Sequence, residues 1–336
     1  MYHENGGSVF YPKNGKAFKI LKILSLECPS STDSIKKIVG PGWCSSVLDL
    51  WVNDILRIRC LYPIASDAEP GSHSSRYKWM KEYLGRYSGR NVDSGRMLLN
   101  LQRARVCIIG VGGLGSTLAV ALAASGIGKI RLVDGDDVEE SNLTRQLFYK
   151  QSDIGHKKTR ALRKVIEENN SETTVETVES FVDGYEIASE VIENCDFVVL
   201  CADQPRFKIK GWIGKTCLER NVPHLLMAGK WVGPIMHPYI SPCYLCLGRN
   251  HASKISDVRG LVEATVTADI TLRASFGPRP LIVAGLMSSA IIHYLSGIDR
   301  ETFLNKRYSI GLFGSLEVEE IHRYRDCPAC GERTQS

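Results

Sequence analysis

Two cysteine pairs, one glycine-rich run and the acidic and basic side chains that follow it are the residues of this chain with chemistry to offer. Cys243-Tyr-Leu-Cys246 and Cys327-Pro-Ala-Cys330 are C-x-x-C knuckles. A single pair could be a redox motif, but two pairs supply the four thiolates of a tetrahedral zinc site. With every position filled by protein, that zinc is expected to be structural. The run Gly110-Val-Gly112-Gly113-Leu-Gly115 has G-x-G-x-x-G spacing. In such a turn glycines admit phosphate oxygens close to the backbone, and the helix that follows points its free N–H groups at them. Asp134, ~20 residues beyond Gly115, is placed to accept ribose hydroxyls.

These features suit a dinucleotide or ATP equally. A nicotinamide site needs little beyond the loop, whereas expelling pyrophosphate from ATP needs cations on the phosphates and a ligand for magnesium. Such groups follow: Asp136, Asn142, Arg145 and Gln146 lie within the next dozen residues, and Lys158 stands just past Gly155. Each alone reads as a solvated side chain. Their clustering behind a nucleotide-type turn gives them weight.

The elements that must position these residues alternate strand with helix. Strands are expected at Arg105–Ile109, Lys129–Val133, Thr174–Val178 and Asp196–Cys201, with helices starting at Gly113 and Lys157. Alternation of this kind argues for βαβ units and a mostly parallel sheet. The polar, poorly periodic stretch Arg249–Ser275 reads as a long connection, followed by a helix over Leu281–Leu295 and two closing strands, Lys306–Leu312 and Ser315–Ile321. Ahead of all this, Ala65–Ser75 mixes Pro, Gly, Ser and Asp without apolar periodicity and reads as a linker. It sets off a small β-then-α module: a strand in Ala17–Leu26 and helices in Thr32–Val39 and Ser45–Ile58.

Composition narrows the class. At 43% hydrophobic and 24% charged the chain can bury a full core, so global disorder is excluded. A net charge of +5 spread over 336 residues gives no nucleic-acid footprint. No apolar run approaches the ~20 residues of a membrane span, and the N-terminus has no signal-peptide pattern, so a cytoplasmic location without membrane partners is expected. In that reducing setting eleven cysteines are expected as metal ligands or core residues and not as disulfides.

The motifs GVGGLG (Gly110–Gly115), Asp134-Gly-Asp136-Asp, Ser141-Asn142-Leu-Thr-Arg145-Gln146, Gly155-His-Lys-Lys158 and Cys201-Ala-Asp203-Gln stand in one order. In that order they resemble the GxGGLG, DxD, SNLxRQ, GxxK and CTDN motifs of the ThiF/MoeB/HesA superfamily, the bacterial relatives of ubiquitin-activating E1 enzymes. The resemblance runs from about Tyr83 to the C-terminus and includes the two zinc knuckles. It implies a Rossmann-like E1 adenylation domain in which Asp134 binds ribose, Asn142, Arg145 and Lys158 hold the triphosphate, and Asp203 coordinates Mg2+ beside the reacting carboxylate. Without the family, Asp203 would read as a helix N-cap. The resemblance further implies a homodimer in which an arginine from the partner subunit completes the site. The family's R-Y-x-R-Q stands here as Arg86-Tyr-Ser-Gly-Arg90-Asn, one residue longer, which makes Arg90 the candidate.

Two departures refine the expectation. E1 enzymes that pass an activated carboxylate to a thiol carry a cysteine in the crossover region, and Leu247–Asp326 contains none. The acyl-adenylate is therefore expected to be consumed directly, with Cys195, Cys201 and Cys217 as core residues. The additional N-terminal module resembles the peptide-modifying branch, which includes the enzymes of pantocin A and microcin C7 biosynthesis. There a small winged-helix-like domain clamps a ribosomal precursor peptide. The expected organisation is a peptide-clamp-like module at 1–64, whose Phe18–Leu26 strand edge would take a leader peptide, a linker at 65–82 and the adenylation domain at 83–336. The expected reaction is ATP-dependent adenylation of a precursor-peptide carboxylate, a Glu side chain by the pantocin pattern, followed by cyclisation. Nucleotidylation by the microcin pattern, or activation of a Gly-Gly-tailed sulfur carrier, is the alternative.

Overall fold

The computed structural model describes residues 75–87, 93–205, 208–227, 231–254, 256–257, 276–311 and 315–331. The chain divides into two compact units, Met1–Ser94 and Gly95–Ser336. In the first, the described part is a 3-10 turn, Ser75–Tyr77, and helix α1, Lys78–Gly85. The strand and helices expected before residue 65 lie outside the described residues. Helix α2, Ser94–Arg103, leads into the second unit with Met97, Leu98 and Leu101 buried along one face.

From there strand and helix alternate. The order is β1 (Arg105–Ile109), α3 (Gly113–Ala124), β2 (Lys129–Val133), α4 (Lys158–Asn169), β3 (Thr174–Val178), α5 (Tyr185–Val191), β4 (Phe197–Leu200), α6 (Lys208–Glu219) and β5 (His224–Leu226). Then come β6 (Trp231–Val232), β7 (Ile235–Met236), α7 (Tyr244–Ala252), α8 (Pro278–Ser296), β8 (Lys306–Ile310) and β9 (Leu316–Glu320). The first three strands match the expected bounds residue for residue.

The main sheet runs β3-β2-β1-β4-β5-β7, parallel except for β7, and β6-β8-β9 form a separate antiparallel sheet. This is the Rossmann-like, mostly parallel architecture the motifs imply. β1 and β4 are central and covered on both faces, so they read as unbroken apolar runs, Val-Cys-Ile-Ile and Phe-Val-Val-Leu. Helix α3 is built from small and apolar residues and is buried between the sheet and α8. α8 starts at Pro278, three residues before the expected Leu281, because proline suits the first helical turn, and it stops where Gly297 turns left-handed at φ 86°. Strand order reverses between β1 and β4. A doubly wound sheet opens a crevice beyond the carboxyl ends of its strands at that switch point.

The connection expected from Arg249 begins later. α7 stays helical to Ala252, its last turn tied down by Asn250, whose side-chain amide donates to the Cys246 carbonyl at 2.9 Å and the His322 carbonyl at 3.0 Å. Most of the remaining stretch, 258–275, lies outside the described residues. Among the described residues no helix is long and apolar enough to cross a membrane.

Candidate active site and zinc knuckles

The glycine turn sits at the switch point. Gly110 follows β1 with φ +87°, and a Cβ there would lie 2.5 Å from the Ala202 backbone nitrogen, so β1 and β4 end against each other only because residue 110 is glycine. Gly115 packs against the Gly110 carbonyl, and a Cβ on Gly113 would come within 2.9 Å of the Arg145 carbonyl oxygen. Gly112 is different. Its nearest neighbour to an added Cβ is Gln146 Nε2 at an ordinary 3.7 Å, so packing does not demand glycine there; an uncrowded backbone does, the condition for a phosphate to approach. Gly112 is the N-cap of α3 and offers no capping side chain, which leaves the first-turn N–H groups to be satisfied from outside the helix.

Polar side chains line the same edge. Asp134, at the end of β2, accepts the Val111 N–H at 2.8 Å and the Asp136 N–H at 2.9 Å. Burial pushes its carboxyl pKa above the usual range, against those two hydrogen bonds and the charge of Lys158. A carboxylate has about four lone-pair sites, so ribose hydroxyls can still be received. Lys158 Nζ meets Asp136 Oδ2 at 2.7 Å, and the lysine side chain is only 8% exposed while the aspartate is 51% exposed. Asn142 is buried, its Oδ1 accepting the Glu139 N–H at 3.2 Å. Arg145 Nη1 donates to the Ser141 carbonyl at 2.8 Å, and Arg145 backs Gly113. Gln146 is 4% exposed and its Oε1 finds no partner among the described residues, an orphaned acceptor beside Gly112. Asp203 is exposed in the loop after β4, next to the Ala202 that touches Gly110. The fold thus gathers Gly110, Gly112, Gly113, Gly115, Asp134, Asp136, Arg145, Gln146 and Lys158 by direct contact and brings Asp203 to the same strand ends. Arg90 lies outside the described residues.

Two residues of this edge escape sequence reasoning. Phe181 is 61% exposed, and its ring covers Gly135, where a Cβ would lie 2.6 Å from the ring. An exposed aromatic over Gly135, the residue after Asp134, has the face on which a base can stack. Its only signal in the sequence is that it is a large aromatic in the polar segment after β3. Tyr149, four residues past Arg145, donates its hydroxyl to the Val111 carbonyl at 2.6 Å.

The four knuckle cysteines come together and are buried, with all sulfurs within 4.8 Å of one another. Cys243 Sγ lies 3.6 Å from Cys327 Sγ, and Cys246 Sγ lies 3.5 Å from Cys330 Sγ. A tetrahedron with Zn–S bonds of about 2.3 Å has edges of about 3.8 Å, so the set fits zinc. The Tyr324 N–H donates to Cys246 Sγ, and Arg249 stacks on Tyr324 while pairing with Asp326 at 2.8 Å, so the second layer is also built. Burial works against the Cys327 thiolate, but N–H groups of Cys330 and Ala329 and the neighbouring thiols bring its pKa to about 7, ready for metal. Cys195 and Cys217 are buried in the core as expected; Cys201 is partly buried, and burial pushes its thiol up to about 12.

Comparison with known proteins agrees with this geometry. The ThiF family model matches residues 90–330. Among characterised relatives, the sulfur carrier protein adenylyltransferase of Thermus thermophilus is 27% identical over 268 residues, 76% of this chain and 93% of that protein. The sulfur carrier protein ThiS adenylyltransferase of Escherichia coli is 26% identical, covering 71% of this chain and 90% of its own. E. coli MccB, solved with ATP, superposes with a TM-score of 0.78 at 25% identity over 97% of this chain and 94% of MccB. PaaA superposes at 0.68 and 24% identity over 82% of this chain and 92% of its own. With five motifs in order, a nucleotide-type crevice and a family match over most of its length, the chain belongs to the ThiF family and is an ATP-dependent adenylyltransferase of the E1-like fold.

Proposed function

We propose that this enzyme adenylates a carboxylate of a ribosomally made precursor peptide, a glutamate side chain in the finer reading, as one step of peptide-antibiotic biosynthesis. The observation that carries it is the extent of the likeness to MccB. Structures of MccB with MccA align over 97% of this chain with a TM-score of 0.77, whereas the sulfur-carrier adenylyltransferase of T. thermophilus matches 76%.

In this reading the peptide carboxylate oxygen attacks the α-phosphorus of ATP, the bond from that phosphorus to the bridging oxygen breaks, and pyrophosphate leaves. The α3 N-terminus, Arg145 and Lys158 hold the phosphates, Asn142 rigidifies the loop that carries Arg145, and Asp134 orients the ribose. Asp203 would hold magnesium, which would supply positive charge to the phosphate oxygens. The acyl-adenylate then loses AMP to an intramolecular nucleophile, whose proton is released, and a ring closes. Arg90 of a second copy in a homodimer completes the phosphate contacts. A second reading, nucleotidyl transfer to the peptide, is favoured by the fuller superposition on MccB than on PaaA.

The test is ATP–pyrophosphate exchange with purified enzyme, given separately a precursor peptide and a Gly-Gly-tailed sulfur carrier. Exchange only with peptide is expected, and mass spectrometry of the product separates loss of water on ring closure from gain of a nucleotidyl group. Exchange only with the carrier sinks the peptide reading. Asp203→Ala is expected to abolish exchange with folding intact; retained exchange removes Asp203 from the mechanism.

A further inference from the structure

Two consecutive peptide units at the tip of the glycine turn, 110–111 and 111–112, are each held by a side chain. The Val111 N–H donates to Asp134 Oδ2 at 2.8 Å, and the Val111 carbonyl accepts the Tyr149 hydroxyl at 2.6 Å in a buried contact. A trans peptide points its carbonyl and the next residue's N–H in opposite directions. With the Val111 carbonyl drawn inward to buried Tyr149, the Gly112 N–H faces away from that interior, and no described residue accepts it. Gly112 is also the motif glycine at which an added Cβ meets nothing closer than 3.7 Å, so the backbone there is open. Burial, and after it the carboxylates of Asp134, Asp153 and Asp136, push the Tyr149 pKa well above its ordinary value, so the phenol remains a donor.

We propose that Tyr149 is a positioning residue for the nucleotide phosphates: by fixing the Val111 carbonyl, its hydroxyl aims the Gly112 N–H at a phosphate oxygen. The proposal rests on the ATP reading of the site. Packing alone does not require the hydroxyl, because phenylalanine fills nearly the same volume, and among the described residues the hydroxyl's partner is the loop carbonyl. Without it the Val111 carbonyl loses its donor, the 111–112 peptide can rotate, and the N–H loses its aim.

Tyr149→Phe separates this role from a structural one. Binding of ATP and of adenosine to the full chain would be measured by calorimetry, alongside thermal unfolding and exchange kinetics. ATP affinity is expected to fall about tenfold, the worth of one phosphate contact, with adenosine affinity unchanged, because adenosine has no phosphate to lose. KM for ATP should rise by a similar factor and kcat stay nearly constant, since the contact is present before and during reaction. Wild-type protein that binds no ATP ends the nucleotide reading itself. ATP binding by the wild type that is unchanged in Tyr149→Phe, or that weakens in step with adenosine, overturns the role of Tyr149 and leaves the ATP reading standing. Should Tyr149→Phe not fold, Gly112→Pro deletes the same N–H at a φ of −67° that proline already adopts. It should weaken ATP by at least as much, again without affecting adenosine, and retained ATP affinity overturns the proposal.

Discussion

Replacing Lys158 with alanine removes the most deeply set cation of the phosphate edge, and its two consequences should differ greatly in size. In the folded protein the lysine's described ion-pair partner is Asp136, at 2.7 Å, and that carboxylate is 51% exposed. Water can resolvate Asp136 once the lysine is gone, so the pair contributes at most about 1 kcal/mol to stability. For a unit of this size about 1 kcal/mol moves Tm by about 2–4 °C. The lysine side chain is only 8% exposed, and in the proposed reaction its ammonium would act on charge building at phosphate oxygens. Losing one preorganised donor of that kind costs about 3–4 kcal/mol in the transition state, or about 10²–10³ in rate. ATP–pyrophosphate exchange and a thermal melt on the same preparation read both numbers. Lys158→Arg should not restore exchange, because a planar guanidinium does not fit a socket shaped to an ammonium stem. Exchange reduced less than about fivefold in a folded variant, or reduced only as far as the melt predicts, would refute the reasoning.

Phe181→Ala should raise KM for ATP by about five- to twentyfold through loss of a base-stacking face, with kcat little changed, and steady-state kinetics at fixed peptide would check it. Cys330→Ala should drop bound zinc, read by elemental mass spectrometry, from one equivalent toward none, and chelator should then have no further effect on its melting curve. His224 is buried in β5 with its pKa depressed to about 4 by desolvation, so between that value and the unfolded value near 6.5 the unfolded chain binds a proton the folded chain does not. Its contribution is complete above pH 6.5 and fades as pH falls through that window, by roughly 3 kcal/mol in all; urea unfolding at pH 7 and pH 4.5 should show a smaller acid loss in His224→Phe.

Much of the site is legible in the sequence because the chemistry there is local. The glycine turn, Asp134, the Ser141–Gln146 motif and Lys158 lie within about fifty residues, and both knuckles have fixed short spacing, so order and distance along the chain already carry the geometry. What was not legible depends on groups brought together by the sheet. β5, β6 and β7 are two or three residues each and too short for a periodic signal. Phe181 and Tyr149 gain their roles only from what they touch, a glycine backbone and a loop carbonyl, and neither contact has a sequence pattern. The persistence of α7 beyond Arg249 depends on Asn250 reaching His322, a partner 72 residues away.

The pairing of β1 with β4 also fixes the order in which the enzyme can come into being. Arg105 and Asp196, which open that pairing, are 91 residues apart, so a nascent chain displays the glycine loop and Asp134 before Ala202 arrives to pack against Gly110. Contacts this distant in sequence form late and make parallel sheets slow to assemble. A chain with β1, β2 and β3 paired but β4 not yet in place would carry the glycine turn and Asp134 without the crevice. A nucleotide that binds only the finished crevice would stabilise the last step of folding by mass action and give no help to the earlier ones.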